Sequence, residues 1–104
     1  MYFYILQIYD INYKEDIILA LTTVGILNAT LILGENLESI IKTDIELFKG
    51  LLKQKDQKKR IAGVVIGYTE SKEKLKGIKL LIQQAGVKNP DNVFSIIVLE
   101  AEKI

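Results

Sequence analysis

Apolar and polar positions along this chain fall into two successive, nearly matching patterns. Tyr2 to Tyr9 is aromatic and β-branched at every position but Leu6 and Gln7, a strand by composition. Asp10-Ile11-Asn12 ends it, and Asn12 with Glu15 three residues on has the spacing of a helix capping box. Ile17, Ala20, Leu21 and Val24 then recur at helical spacing, and Gly25 supplies the left-handed residue that closes many helices. Ala29 to Leu33 reads as the next strand. The pattern then repeats. Ile61 to Tyr68 is a strand, Thr69 or Ser71 caps a helix, and Leu75, Ile78, Ile82 and Ala85 form its buried stripe. Gly86 closes this helix as Gly25 closes the first. Asn89-Pro90-Asp91-Asn92 makes a turn, and Val93 to Glu100 is the last strand.

The two units even share a local echo: Leu21-Thr22-Thr23-Val24-Gly25-Ile26 matches Ile82-Gln83-Gln84-Ala85-Gly86-Val87 in its apolar and glycine positions. Two β-α-β units in succession predict an α+β domain spanning 1–104. The expected plan is a ferredoxin-like βαββαβ sandwich, a four-stranded antiparallel sheet with two helices on one face. Residues 34–60 belong to neither unit and form a long β2–β3 connection. Thr43 or Asp44 can cap a short helix there, carrying Ile45, Leu47, Phe48, Leu51 and Leu52. Connections this long tend to be functional.

A sheet covered on one face should alternate apolar and polar residues. These strands are apolar on both faces: Phe3, Ile5 and Tyr9 oppose Tyr2, Tyr4, Leu6 and Ile8, and Phe94, Ile96 and Val98 oppose Val93, Ile97 and Leu99. A chain of 104 residues has no second layer to spare. The open face is therefore expected to pack against other copies, the alternative being partial cover by the long loop.

Composition narrows the chemistry. With 14 Lys and Arg against 13 Asp and Glu, the balance lacks the excess of a basic nucleic-acid binder. The absence of Cys and His removes disulfides, thiolate nucleophiles, imidazole bases and the usual zinc ligands. No apolar run approaches a membrane span, and the apolar start lacks the basic leader of a signal peptide, so a cytoplasmic protein is expected. The loop carboxylates Glu35, Glu38, Asp44 and Glu46 fit no known calcium-loop spacing. The basic run Lys53, Lys55, Lys58, Lys59 and Arg60 could meet phosphates or an acidic partner, although a solvated loop end has the same composition. Phe48 could contact a partner or anchor the short helix. The strand tyrosines lack the motif of an RNA-recognition sheet. Gly63 and Gly67, on one strand face, could admit a ligand or a neighbouring backbone, or mark a bend or an interface. No glycine-rich phosphate loop occurs: Gly34 stands alone. Neither a catalytic residue nor a metal site is expected.

Three stretches resemble a known family. Gly25-Ile26-Leu27-Asn28-Ala29-Thr30 is similar to the Gly-Val-x-Gly-x-Thr that opens the second strand of the nitrogen-regulatory P-II signalling proteins. Thr43-Asp44-Ile45-Glu46-Leu47-Phe48-Lys49-Gly50-Leu51 resembles the acidic Leu-Phe-x-Gly-Leu segment of the P-II-like group, and Ile61 to Gly67 the strand after it. The resemblance implies a cytoplasmic homotrimer with sheets facing inward, signalling rather than catalysing. It implies a small-molecule effector, with a nucleotide as one candidate, in clefts where the long loop meets the loop after the second helix. The ligand-binding set so implied is Thr30, Gly34, Glu35, Arg60, Lys88 and Asn89. A protein target would meet the loop 34–60 through Phe48, Lys53, Lys55, Lys58 and Lys59. Thr30 matches the family's Thr by position. Gly86 to Asn92 departs from its Gly-Asp-Gly-Lys pattern, and the loop lacks its glycine-rich start and modifiable Tyr. Two other classes stay open: a small ferredoxin-like oligomeric enzyme built on Asp, Glu, Tyr, Lys or Arg, and a protein-binding adaptor without ligand.

Overall fold

The computed structural model describes residues 1–41 and 61–104. The short helix expected near Thr43 or Asp44 lies outside the described residues. Strand β1 (Tyr2–Ile8) leads through a 3-10 turn (Ile11–Tyr13) into helix α1 (Lys14–Thr23), which is followed by β2 (Ala29–Glu35). After 61, β3 (Ile61–Thr69), α2 (Lys72–Gln84), a 3-10 turn (Pro90–Asn92) and β4 (Phe94–Glu100) complete the second unit. The strands form one sheet in the order β2-β3-β1-β4, with every neighbouring pair antiparallel. This α+β arrangement is compatible with the ferredoxin-like plan.

One face of the sheet carries the core. Tyr4, Leu6 and Ile8 of β1, Val65 of β3 and Phe94 of β4 are buried against Ile17, Ala20 and Leu21 of α1 and Leu75, Ile78 and Ile82 of α2. The helical stripes read from sequence are thus the faces that pack, with one exception. Ala85 is exposed, because it is the C-cap of α2 and lies beyond the last full turn. Its place at the end of the stripe goes to Val87, which packs against the core.

The internal echo has a concrete structural meaning. Gly25 (φ 84°) and Gly86 (φ 102°) are left-handed. In α1 the Ile26 N–H reaches the Leu21 carbonyl at 2.8 Å and the Gly25 N–H reaches Thr22 at 3.0 Å. In α2 the Val87 N–H reaches Ile82 at 3.4 Å and the Gly86 N–H reaches Gln83 at 3.0 Å. Both helices therefore end in the same Schellman closure, which needs glycine at C′ and apolar residues on either side of it.

The helix starts differ from each other. Ser71 caps α2 as expected, its hydroxyl accepting from the Lys74 N–H. Asn12 does not cap α1. Its own N–H is taken at 3.1 Å by the Asp10 carboxylate, which tightens residues 11–13 into a 3-10 turn and delays α1 to Lys14. An Asx-type turn two residues earlier has outcompeted the capping box. Strand β2 also runs two residues beyond the expected Leu33. Gly34 pairs with Ala62 and Glu35 with Ile61, so these two residues are ladder positions rather than loop. Asn36 then caps a helical turn at 37–41, its side-chain oxygen accepting from the Ser39 N–H at 3.0 Å.

Candidate functional site

Among the described residues neither α1 nor α2 covers the second face of the sheet. Strand register places its residues in rows. Tyr68, Phe3 and Leu99 form one row, and Thr30, Ile66, Ile5 and Ile97 the next. Ile32, Val64, Gln7 and Ser95 form the third. The first two rows are apolar apart from Thr30. Phe3 and Tyr68 stack tilted with ring centroids 5.3 Å apart, and Ile97 and Leu99 are 57% and 56% exposed. Towards the far end the face becomes polar: Gln7 is exposed, and the Tyr9 hydroxyl hydrogen-bonds the Ser95 hydroxyl at 2.6 Å. A contiguous apolar patch of this kind marks an interaction surface.

Gly63 and Gly67 are not openings for a ligand or for a foreign backbone. They lie on the helix-covered face, where each makes room for a core side chain of β1. A Cβ on Gly67 would stand 2.7 Å from the Tyr4 hydroxyl, and one on Gly63 would stand 3.2 Å from the Ile8 Cδ1. The Tyr4 ring is fully buried, and its hydroxyl has no hydrogen-bond partner among the described residues. Burial pushes the phenol above its usual pKa. An unpaired buried hydroxyl opposes folding, so Tyr4→Phe should be neutral or stabilising by about 1 kcal/mol in urea denaturation. The sign of the pH effect follows. A raised folded pKa favours folding below the unfolded value near 10, and this contribution is lost as pH rises through the folded value. Wild type should therefore lose more stability above about pH 10 than Tyr4→Phe does.

Among the described residues, the sequence-predicted ligand residues fall into two groups that do not meet within one chain. Thr30 is exposed near the start of β2 on the open face. Gly34 and Glu35 end the same strand. There a recess of about 390 Å³ is lined by Gln7, Ile32, Gly34, Leu37 and Val64 among others. Lys88 and Asn89 are exposed in the turn before β4, the opposite edge of the sheet. Three strand spacings, about 14 Å, separate the two edges. Arg60, Phe48, Lys53, Lys55, Lys58 and Lys59 lie outside the described residues.

A second recess was not anticipated from the sequence. It occupies about 420 Å³ between α2 and edge strand β4. Leu75, Phe94, Ile96 and Val98 supply an apolar floor, and Lys72, Lys76 and Lys79 line its α2 side. Their i, i+4, i+7 spacing was the available signal, since it puts three cations on one side of a helix. Asp91 is the acidic residue among those lining the recess, and it pairs with Lys79 at 2.9 Å. Lys76 pairs with Glu73 at 3.4 Å, and the Lys72 ammonium lies 5.3 Å from the Tyr2 ring centroid. Among the described residues no group of three or more Asp or Glu could hold a metal ion, and no helix is long and apolar enough to cross a membrane. No protein-family model and no curated protein matches the chain.

Proposed function

We propose that this chain is the subunit of a P-II-like homotrimer, a regulatory rather than catalytic protein of the cytoplasm. It binds a small effector in clefts between subunits and signals through the loop 34–60, in the manner of nitrogen-regulatory proteins. The observation that carries this reading is the apolar face that the described residues leave uncovered, where Phe3, Ile5, Ile66, Tyr68, Ile97 and Leu99 call for a second layer. Packing sheet to sheet supplies that layer from identical copies. The separation of Thr30, Gly34 and Glu35 from Lys88 and Asn89 supports the same reading. Those groups lie towards opposite edges of one sheet, so a site containing both is completed by adjoining chains. The effector acts by favouring one arrangement of the loop, which is a population shift.

Light scattering across a range of protein concentrations tests the assembly. The expected mass is three times the 11.8 kDa of the chain; a monomer throughout overturns the proposal. Thermal shift with nucleotides, cyclic dinucleotides, bicarbonate and divalent cations tests the effector. A ligand at about 100 times its Kd raises stability by about 2.7 kcal/mol. If none of these raises the melting temperature of a confirmed trimer, the effector half of the proposal fails and an adaptor role replaces it.

A further inference from the structure

Edge strand β4 presents a backbone row that no described strand pairs with, beneath a row of lysines. The parity of its hydrogen bonds establishes the first point. Just before β4 the Tyr9 N–H bonds the Val93 carbonyl at 2.7 Å, and just after it the Ala101 N–H bonds the Met1 carbonyl at 3.0 Å. Odd-numbered residues from 93 to 101 are thus the ones bonded to β1, since antiparallel ladders bond every second residue. The N–H and C=O groups of Phe94, Ile96 and Val98 point the other way, out of the sheet edge. The usual protections of an edge are sparse: β4 has no proline, and its one charged residue, Glu100, stands at its very end. The same three residues turn their side chains to the helix-covered face and floor the recess beside α2. A strand added to this edge would therefore lay every second side chain beside Lys72, Lys76 and Lys79.

We propose that β4 is a docking edge for an extended acidic segment of a partner protein, bound as a fifth strand. The backbone row of β4 supplies the pairing, and the lysine row selects the sequence. Carboxylates at alternate positions of the guest face α2, and apolar residues between them continue the open face beside Ile97 and Leu99. Charge complementarity chooses this occupant. The recess has three cations and one acid, and that acid, exposed Asp91, is a carboxylate already sitting on Lys79. Strand addition combines main-chain affinity with side-chain specificity at every second position in this way.

The probe is a blocked hexapeptide of alternating Glu and Val carrying a fluorophore, followed by anisotropy, with a Gln-for-Glu peptide as control. The Glu peptide should bind about tenfold tighter than the control and lose that advantage at high salt. The triple variant Lys72→Gln, Lys76→Gln, Lys79→Gln should weaken it by about the same factor. Asp91→Asn, which releases Lys79, should tighten it. Amide hydrogen exchange supplies an independent readout. In the free protein the Phe94, Ile96 and Val98 amides should exchange faster than those of Ser95, Ile97 and Leu99, and the peptide should slow the first set. Equal binding of the two peptides, or indifference to the lysine variants, overturns the proposal. So does slow exchange of all six amides in the peptide-free protein, which would show a second copy already holding the edge. A failed trimer test would leave these outcomes unaffected, because they depend on β4 and α2 rather than on the open face.

Discussion

Gly67→Ala is expected to destabilise the fold by about 2–3 kcal/mol, out of proportion to the single methyl it adds. Gly67 has ordinary strand geometry, so backbone conformation is not the cause. The cause is occupancy. The new Cβ would lie 2.7 Å from the Tyr4 hydroxyl, 3.1 Å from its Cζ and 3.1 Å from the Asn28 carbonyl oxygen. One contact is to a fully buried ring and another is to backbone, so neither neighbour can swing aside as the end of a flexible chain would. A domain with a total stability of about 5–15 kcal/mol loses a large share of it by this change. Urea denaturation should show a lower midpoint with an unchanged slope. A double-mutant cycle sharpens the claim. Tyr4→Phe removes the atom at 2.7 Å but leaves the other two, so Gly67→Ala should be partly rescued in that background. Wild-type stability for Gly67→Ala, or strict additivity of the pair, would contradict this account.

Ile97→Lys is expected to convert the proposed trimer into folded monomers. Ile97 lies in the second apolar row of the open face, beside Ile5, and is 57% exposed in the single chain. In a monomer the lysine ammonium reaches water, and the surface change costs little, within about 0.5 kcal/mol. Beneath a second sheet the same ammonium is buried without a partner, a penalty of several kcal/mol at each symmetry-related copy. If the wild type is the proposed trimer, light scattering should fall from three chain masses to one while far-ultraviolet circular dichroism stays unchanged. Retention of the wild-type mass would remove the open face from the assembly altogether. Loss of the dichroism signal would show that Ile97 supports the fold of the single chain.

Much of this fold was legible because each helix carries its own punctuation. The apolar-x-x-x-Gly-apolar ending at 21–26 and again at 82–87 encodes one closure twice, and in both cases the left-handed glycine is where the pattern put it. Strand faces were legible from alternation, since Tyr4, Leu6 and Ile8 are buried and Phe3 and Ile5 oppose them. What misled was competition at short range. Asp10 and Asn12 are both good capping residues, and which one acts depends on the turn leaving β1, which sequence spacing does not reveal. The strand glycines misled for a tertiary reason. Their role depends on which β1 side chain lies across the ladder, and pairing Gly67 with Tyr4 and Gly63 with Ile8 requires the register. For the candidate site, the apolar open face was anticipated because the strands fail to alternate apolar with polar residues, but the groove beside α2 was not. Lys72, Lys76 and Lys79 are scattered in sequence and become one row only on a helix laid beside an edge strand.

The parity of β4 has an evolutionary consequence. Side chains at 95, 97 and 99 face one surface, while 94, 96 and 98 combine core-facing side chains with outward-pointing backbone. Substitutions at the odd positions can alter self-recognition without touching a single edge hydrogen bond, because the edge is read through main-chain atoms common to all residues except proline. On the two proposals made above, selection could therefore retune the association of copies while keeping the main-chain pairing of a guest strand intact, although both run through the same seven residues.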